Sequence, residues 1–173
     1  MNGNVFLLLG SNLDDPEKNL LLTIKKINEL AGRVDKMSSI YSTEPWGVRD
    51  QPEFLNQVVK IETDFPPQTL LNVLQEIESQ IGRRKAGKWG PRKIDIDILF
   101  YNSLITEGPT LTIPHPGIPD RRFTLVPLSE IAPRFRHPKL HLTCQQLLLE
   151  CKDPSRVVKF TAGSSPQQTA QSF

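Results

Sequence analysis

A basic, glycine-rich loop leads directly into a strand in the stretch Gly82-Arg-Arg-Lys-Ala-Gly-Lys-Trp-Gly-Pro-Arg-Lys-Ile-Asp-Ile-Asp-Ile-Leu-Phe100. Successive side chains of a strand point to opposite faces, so Asp95 and Asp97 are predicted to share one face. Their Cα atoms are then expected to lie about 6.5–7 Å apart, at a rise of about 3.3 Å per residue. The apolar side chains of this strand are predicted to share the other face: Ile94, Ile96, Ile98 and Phe100.

Two aspartates at this spacing favour a bound cation, because neighbouring anions repel each other unless a cation lies between them. Mg²⁺ fits this arrangement, since it takes one or two carboxylates and completes its coordination with water and substrate phosphates. The basic residues of the preceding loop would bind those phosphates: Arg83, Arg84, Lys85, Lys88 and Arg92. The pattern predicts a site for phosphate transfer, although two surface aspartates beside a solvated charged loop would look the same.

Trp89 stands in the most polar part of this loop, where burial in a core does not readily explain it. An indole in such a place is typical of a binding surface, or of a lid that packs on closing. We therefore expect Trp89 to contact a ligand or to cover one.

The composition is that of one globular enzyme domain. The chain has 173 residues, of which 38% are hydrophobic and 23% charged, as in ordinary globular proteins. Its formal net charge of +2 is small, which favours a small polyanionic ligand over a long nucleic-acid footprint. We expect a single domain over residues 1–160 and a disordered polar tail over residues 161–173.

The sequence contains no segment that predicts a membrane span or a disulfide. No run approaches the roughly 18 apolar residues of a membrane span, and residues 5–9 lack the basic flank and length of a signal peptide. Cys144 and Cys151 form neither a disulfide framework nor a CxxC pair, so they are interpreted as neutral thiols of a reducing compartment. We expect a cytoplasmic monomer that binds neither nucleic acid nor a membrane.

Strands and helices alternate in the order β-α-β-β-α-β. Apolar patterning predicts strands over residues 4–10, 33–43, 54–65 and 93–101. One helix is predicted between Asp14-Asp15-Pro16 and Gly32, and another over residues 68–81. This order predicts an α+β fold, a ferredoxin-like antiparallel sheet with helices packed on one face. A C-terminal extension over residues 102–160 is expected to add turns, a short strand pair and a helix around residues 143–151.

The third predicted strand carries a candidate site for a heterocycle. Phe54 and Asn56 fall on one face, opposite the apolar residues of the strand. An asparagine amide donates and accepts hydrogen bonds at once, which matches a heterocycle with an amide edge, and an aromatic neighbour supplies stacking. Phe123, beside the basic pair Arg121-Arg122, is a candidate for a second stacking ring. Alternatively, Asn56 caps a turn and both rings belong to the core.

Several motifs follow one another along the chain. The most specific are Trp89-Gly-Pro-Arg-Lys-Ile-Asp-Ile-Asp97, Pro114-His115 and Arg121-Arg-Phe123. The others are Gly10-Ser-Asn-Leu13, Tyr41-Ser-Thr-Glu-Pro45, Gln51-Pro-Glu-Phe-Leu-Asn56, Gly82-Arg83 and Pro127-Leu-Ser-Glu-Ile-Ala-Pro133. Over roughly residues 4–160 the chain thereby resembles the 6-hydroxymethyl-7,8-dihydropterin pyrophosphokinase family, whose members transfer a diphosphate from ATP to a pterin alcohol in folate biosynthesis.

The resemblance implies a ferredoxin-like fold, two Mg²⁺ ions held by Asp95 and Asp97, and the small-molecule partners ATP and 6-hydroxymethyl-7,8-dihydropterin. It implies a catalytic set of Arg83, Arg84, Arg92, Asp95 and Asp97. The implied pterin-binding residues are Gly10, Thr43, Pro45, Trp46, Phe54, Asn56, Asp95 and Phe123. The implied ATP-binding residues are Gln75, Glu78, Arg83, Trp89, Arg92, Ile98, His115 and Arg121, with Trp89 and Arg92 on a closing loop.

Three other functional classes are compatible with parts of the sequence. An RNA-binding module of the same fold would carry paired aromatic residues on its central strands, which residues 4–9 and 55–61 lack. A structural role would not explain the presence of Asp95, Asp97 and Trp89. A divergent Mg-ATP-dependent enzyme with another acceptor would retain most of these residues.

Overall fold

The computed structural model describes residues 3–82 and 90–163, which form an α+β fold. The strands are β1 Gly3–Ser11, β2 Arg33–Met37, β3 Tyr41–Thr43, β4 Phe54–Thr63, β5 Asp95–Tyr101, β6 Thr106–Glu107, β7 Thr112–Ile113 and β8 Val157–Lys159. The helices are α1 Pro16–Leu30, α2 Pro67–Ile81, α3 Arg122–Ile131 and α4 Cys144–Glu150. None of the helices in these ranges is long and apolar enough to cross a membrane.

The main sheet has the strand order β5-β1-β4-β3-β8, and β2 also pairs with β4. Neighbouring strands run antiparallel throughout this sheet. Because β1 lies between β5 and β4, its carboxyl end brings the starts of those two strands side by side. The predicted ferredoxin-like class is therefore confirmed, and the sheet places Asp95 and Asn56 on either side of Gly10.

The two helices of the βαββαβ unit, α1 and α2, pack on one face of the sheet as predicted, and α3 and α4 of the C-terminal extension cover the other face. Leu7 and Leu9 of β1 pack in a core with α1 and α2, whereas Phe6 and Leu8 pack in a second core with α3 and α4. The continuous apolar run of β1 agrees with this two-sided burial. The second layer is built from the C-terminal extension.

Phe100 lies on the opposite face from its predicted position. The pairing of β1 with β5 shifts register between Phe6 and Leu7, which face Phe100 and Ile98 respectively. This bulge reverses the alternation of side chains after Ile98. Phe100 consequently packs against Phe6, with ring centroids 6.1 Å apart. The shift comes after the aspartates, so it does not change the face that they share.

The strand predicted over residues 33–43 is divided into β2 and β3. Ser38 interrupts it, because its Oγ accepts a hydrogen bond from Val58 N at 3.0 Å and its carbonyl accepts one from the Gln57 side chain at 2.8 Å. The predicted helices are present. Asp15 caps α1 by accepting a hydrogen bond from Lys18 N, and Gly82 ends α2 in a left-handed conformation with φ of 103°.

Candidate active site

A cleft of about 280 Å³ opens where the second helical layer leaves the sheet uncovered. Leu8 lies at its boundary, since it belongs to the core beneath α3 and also lines the cleft. The floor comes from β5, β1 and β4, and the walls come from the loops before β4 and before α3. The lining residues are Leu8, Gly10, Thr43, Glu44, Trp46, Phe54, Asn56, Gly90, Arg92, Asp95, Asp97, His115, Arg121 and Phe123.

Asp95 and Asp97 lie on the cleft face of β5, as their alternation predicts. Asp95 is paired with Gly10 and Asp97 with Leu8 across the β1–β5 ladder. Both side chains are partly buried. The Arg92 guanidinium forms an ion pair with Asp95, with Nη1 2.6 Å from Oδ2. The cleft therefore holds two carboxylates, one of which already has a cation beside it.

The donor set at this pair suits a metal that shares its coordination with a ligand. In residues 3–82 and 90–163, no group of three or more His, Cys, Asp or Glu side chains could enclose a metal ion. A cation at Asp95 and Asp97 would therefore complete its coordination with water and substrate oxygens. Mg²⁺ characteristically binds in this way, so the two carboxylates fit it.

Gly10 makes room for the amide of Asn56 on the neighbouring strand. A Cβ atom at position 10 would lie 2.8 Å from Asn56 Oδ1, a separation that real Cβ contacts essentially never show. The Asn56 side chain is buried, and its Nδ2 donates a hydrogen bond to Thr43 Oγ1 at 2.7 Å. Thr43 thus fixes the orientation of an amide that lines the cleft.

The rings of Trp46, Phe54 and Phe123 line the cleft. Phe54 begins β4, and Phe123 lies in the first turn of α3, where Trp46 approaches it edge-on with a centroid distance of 6.0 Å. The Arg121 guanidinium lies 5.9 Å from the Phe123 ring centroid, within cation–π range. Gly117 permits this position, because a Cβ there would lie 2.7 Å from Arg121 Cζ. The cleft thus combines flat apolar surfaces with a guanidinium.

His115 is held in one orientation at the edge of the cleft. Its backbone N–H donates to Leu99 O at 3.0 Å, and its Nδ1 accepts from Gly117 N at 3.0 Å. The neutral ring therefore carries its proton on Nε2, which remains available as a donor. Burial lowers the pKa of His115; the nearby Asp97 carboxylate opposes that shift, and Arg121 adds to it.

The lowered pKa of His115 predicts a stability loss in mild acid. Below about pH 6.5, the unfolded chain protonates this ring while the folded chain resists protonation, so the free energy of unfolding falls with pH. The slope is at most about 1.4 kcal/mol per pH unit for one proton. His115→Gln should reduce the decline in Tm between about pH 7 and pH 5. Burial also lowers the pKa of His137, which should maintain part of the slope. An unchanged slope in the variant would contradict the assignment.

Asn12 is a structural link to which the sequence assigns no role beyond its place in the Gly10-Ser-Asn-Leu13 motif. It is 3% exposed, and its Nδ2 donates to Gln51 Oε1 at 3.0 Å and to Pro52 O at 3.1 Å. Its Oδ1 accepts from Arg92 N at 2.7 Å. It therefore ties the segment before Phe54 to the segment that carries Arg92. Leu8, Glu44 and Gly90 are further lining residues outside the predicted set.

Some predicted binding residues lie away from this cleft. Ile98 packs in the core beneath α1 and α2, and Gln75 is exposed on α2. Glu78 is buried and accepts a hydrogen bond from Ile96 N at 2.8 Å, so it supports β5 from behind. Pro45 is partly buried between two lining residues without lining the cleft itself. Arg83, Arg84 and Trp89 lie outside the described residues.

The sequence and the backbone match known proteins. Residues 6–133 match the family model described as 7,8-dihydro-6-hydroxymethylpterin-pyrophosphokinase. The chain is 41% identical over 134 residues to the 2-amino-4-hydroxy-6-hydroxymethyldihydropteridine pyrophosphokinase of Aquifex aeolicus, which covers 78% of this chain and 83% of that protein. It is also 41% identical over 148 residues to the folic acid synthesis protein FOL1 of Dictyostelium discoideum, but spans 22% of that protein.

The fold also matches a solved structure with low sequence identity. Wild-type Plasmodium falciparum HPPK-DHPS with pteroate superposes with a TM-score of 0.70 at 18% identity, over 87% of this chain and 42% of that one. This likeness shows the fold alone. The extent of the family match and the identity to the Aquifex aeolicus protein place the sequence more narrowly. This chain belongs to the 7,8-dihydro-6-hydroxymethylpterin-pyrophosphokinase family.

Proposed function

We infer that this chain transfers the diphosphate of ATP to the hydroxymethyl group of 6-hydroxymethyl-7,8-dihydropterin and releases AMP, a step of folate biosynthesis. The observation that carries this function is one cleft that combines paired carboxylates with the aromatic rings of Phe54 and Phe123 and a fixed amide, in a chain of this family. A heterocycle and a polyphosphate both find complementary groups there. Neither an RNA-binding module nor a structural protein explains this combination.

The pterin would occupy the part of the cleft near β4. Phe54 and Phe123 provide flat apolar surfaces for its ring, and stacking of this kind tolerates the polar edge of a heterocycle. The Asn56 amide would pair with the pyrimidinone edge, because it offers a donor and an acceptor in one plane. Thr43 would maintain the direction of that amide through its 2.7 Å hydrogen bond.

Asp95 and Asp97 would hold Mg²⁺ with ATP. When bound, Mg²⁺ neutralises charge on the phosphate oxygens and orients them for displacement. Arg92 lies 2.6 Å from Asp95, so this guanidinium neutralises part of the carboxylate charge when no metal is bound and lies beside the metal site. Arg92, Arg121 and the Nε2–H of His115 would donate to phosphate oxygens, and a guanidinium can do so with two parallel hydrogen bonds.

The reaction requires little covalent participation by the protein. The pterin hydroxymethyl oxygen forms a bond to the β-phosphorus of ATP, the bond from that phosphorus to the oxygen bridging to the α-phosphate breaks, AMP leaves, and the hydroxyl proton is released. Transfers of this kind depend on positioning and on stabilisation of charge spread over phosphate oxygens. The arginines and the rigid strand that bears the carboxylates supply both requirements.

Release of AMP from Mg-ATP, measured with and without 6-hydroxymethyl-7,8-dihydropterin, tests this function. We expect AMP only in the presence of the pterin, in a one-to-one ratio with a diphosphorylated pterin identified by mass. ADP as the nucleotide product would mean attack at the γ-phosphorus and would contradict the proposal. An absence of turnover in a sample that binds ATP would indicate another acceptor.

A further inference from the structure

The segment that follows α4 contacts both walls of the cleft. Residues 153–159, named here the C-terminal brace, end in β8 and lie outside residues 6–133, which carry the family match. Asp153 of the brace contacts the start of α3, where Phe123 lies. Arg156 contacts Glu53, the residue before Phe54.

Asp153 caps the helix that carries Phe123. The N-cap residue of α3, Arg121, makes no side-chain capping bond of its own. Asp153 Oδ2 accepts a hydrogen bond from Arg122 N at 2.9 Å, while its Oδ1 accepts one from Ser155 N at 2.9 Å. A carboxylate is favourable at a helix N-terminus because it satisfies a free amide and faces the positive end of the dipole. Asp153 thereby fixes the turn from which Phe123 projects.

Arg156 holds the opposite wall through Glu53. Its Nη2 lies 2.7 Å from Glu53 Oε1, and Glu53 Oε2 accepts a hydrogen bond from Ser42 Oγ at 2.5 Å. Glu53 is thus held from two sides, by the brace and by β3. Because Phe54 is the next residue, these contacts fix the start of β4 at the cleft.

β8, the strand of the C-terminal brace, supports the Asn56 amide in the floor of the cleft. Val157 of β8 pairs with Thr43 of β3. Thr43 Oγ1 in turn accepts the 2.7 Å hydrogen bond from Asn56 Nδ2. The edge pairing therefore limits the movement of the residue that orients Asn56.

We propose that Asp153 and Arg156 are positioning residues for pterin recognition, which set the separation of Phe54 and Phe123 and the orientation of Asn56. Only Pro154 and Ser155 separate the two residues, so a short length of chain joins the two walls. The walls cannot move apart without breaking one of the contacts. This inference rests on the proposed function and concerns its acceptor side. β8 lies at the opposite edge of the main sheet from β5, which carries Asp95 and Asp97, so loss of the Arg156 contact should leave the ATP side unaffected.

Arg156→Gln tests the contact to the Phe54 wall, and the chain contains a matched control. Arg33 and Glu62 also form an ion pair of 2.7 Å, with side-chain exposures of 65% and 26%, against 63% and 27% for Arg156 and Glu53. Glu62 lies at the other end of β4, opposite Asn4. We expect Arg156→Gln to raise the KM and the calorimetric Kd for the pterin about tenfold, through misplacement of the ring wall. KM for ATP should stay within about twofold of the unaltered chain, and Arg33→Gln should change neither constant.

Two further variants separate positioning from simple stabilisation. Arg156→Lys keeps a cation near Glu53 and should recover part of the pterin affinity. Asp153→Asn removes the charge at the α3 cap and should also raise the Kd for the pterin, whatever its effect on Tm. Pterin constants for Arg156→Gln and Asp153→Asn that equal those of Arg33→Gln would overturn the brace while leaving the proposed function intact. Loss of ATP affinity in Arg156→Gln equal to its loss of pterin affinity would also overturn it. Absence of pterin-dependent AMP release in the unaltered chain would instead overturn the proposed function.

Discussion

Replacement of Asp97 by asparagine is expected to lower kcat by about 10²–10⁴-fold, because one of the two carboxylates proposed to hold Mg²⁺ loses its charge. Asp97 is the more informative of the pair. Asp95 also forms an ion pair with Arg92, so its replacement would release a guanidinium and mix two effects. Within the described residues, Asp97 makes no hydrogen bond or ion pair, and its carboxylate lies close enough to His115 to influence the pKa of that ring. The expected loss is therefore one of charge at the reacting centre.

The same reasoning predicts that Tm of Asp97→Asn remains close to that of the unaltered chain. Removal of one of two neighbouring anions relieves repulsion when no metal is bound, so no destabilisation is expected. Asp35→Asn is the matched control, since Asp35 lies on β2 and pairs with Lys60 at 2.7 Å, remote from the cleft. Steady-state kinetics over a range of Mg²⁺ concentrations would measure the effect. Turnover like that of Asp35→Asn at saturating Mg²⁺ would remove the metal role of Asp97.

The floor of the cleft could be predicted from the sequence because it depends on local order. Alternation along a strand requires only that residues 54–56 and 95–97 be extended, and both segments are. The position of Phe100 could not be predicted in this way, because a bulge is a property of two paired strands and not of one. The side-chain pattern of one strand does not show where its pairing with the neighbouring strand shifts by one residue.

The walls of the cleft depend on contacts between distant parts of the chain. Local rules argue against α3, because Pro127 removes an amide donor from the interior of the helix. Burial of Leu125 and Leu128 offsets this loss, and Asp153 supplies a cap from 31 residues away. Asn12 likewise lies in a short motif whose sequence does not predict its partners, because its bonds to Gln51 and Arg92 join distant parts of the chain. The contacts of Asp153 and Asn12 therefore depend on the folded chain and cannot be predicted from local sequence patterns.

Replacement of Asn56 by leucine is expected to lower kcat/KM for the pterin by about 10²–10³-fold, equivalent to about 3–4 kcal/mol. The side chain keeps its branching and its number of heavy atoms, but the polar edge of a buried heterocycle would lose its partner, and an unpaired buried polar group is costly. Thr43 Oγ1 would lose its donor as well. KM for ATP should change much less, because Asn56 lies on the β4 side of Gly10 and the carboxylates lie on the β5 side.

Gln57→Leu is the control that distinguishes recognition from the general cost of removing a buried amide. Gln57 is the next residue of β4, is 7% exposed, and donates a hydrogen bond to Ser38 O at 2.8 Å without lining the cleft. Both variants should lose stability, since each removes a buried hydrogen bond worth about 1 kcal/mol. Calorimetry without ATP measures pterin binding in the absence of the reaction. Only Asn56→Leu should weaken binding in this measurement. If the two variants lose pterin affinity to the same extent, Asn56 acts through the stability of β4 and not through the edge of the heterocycle.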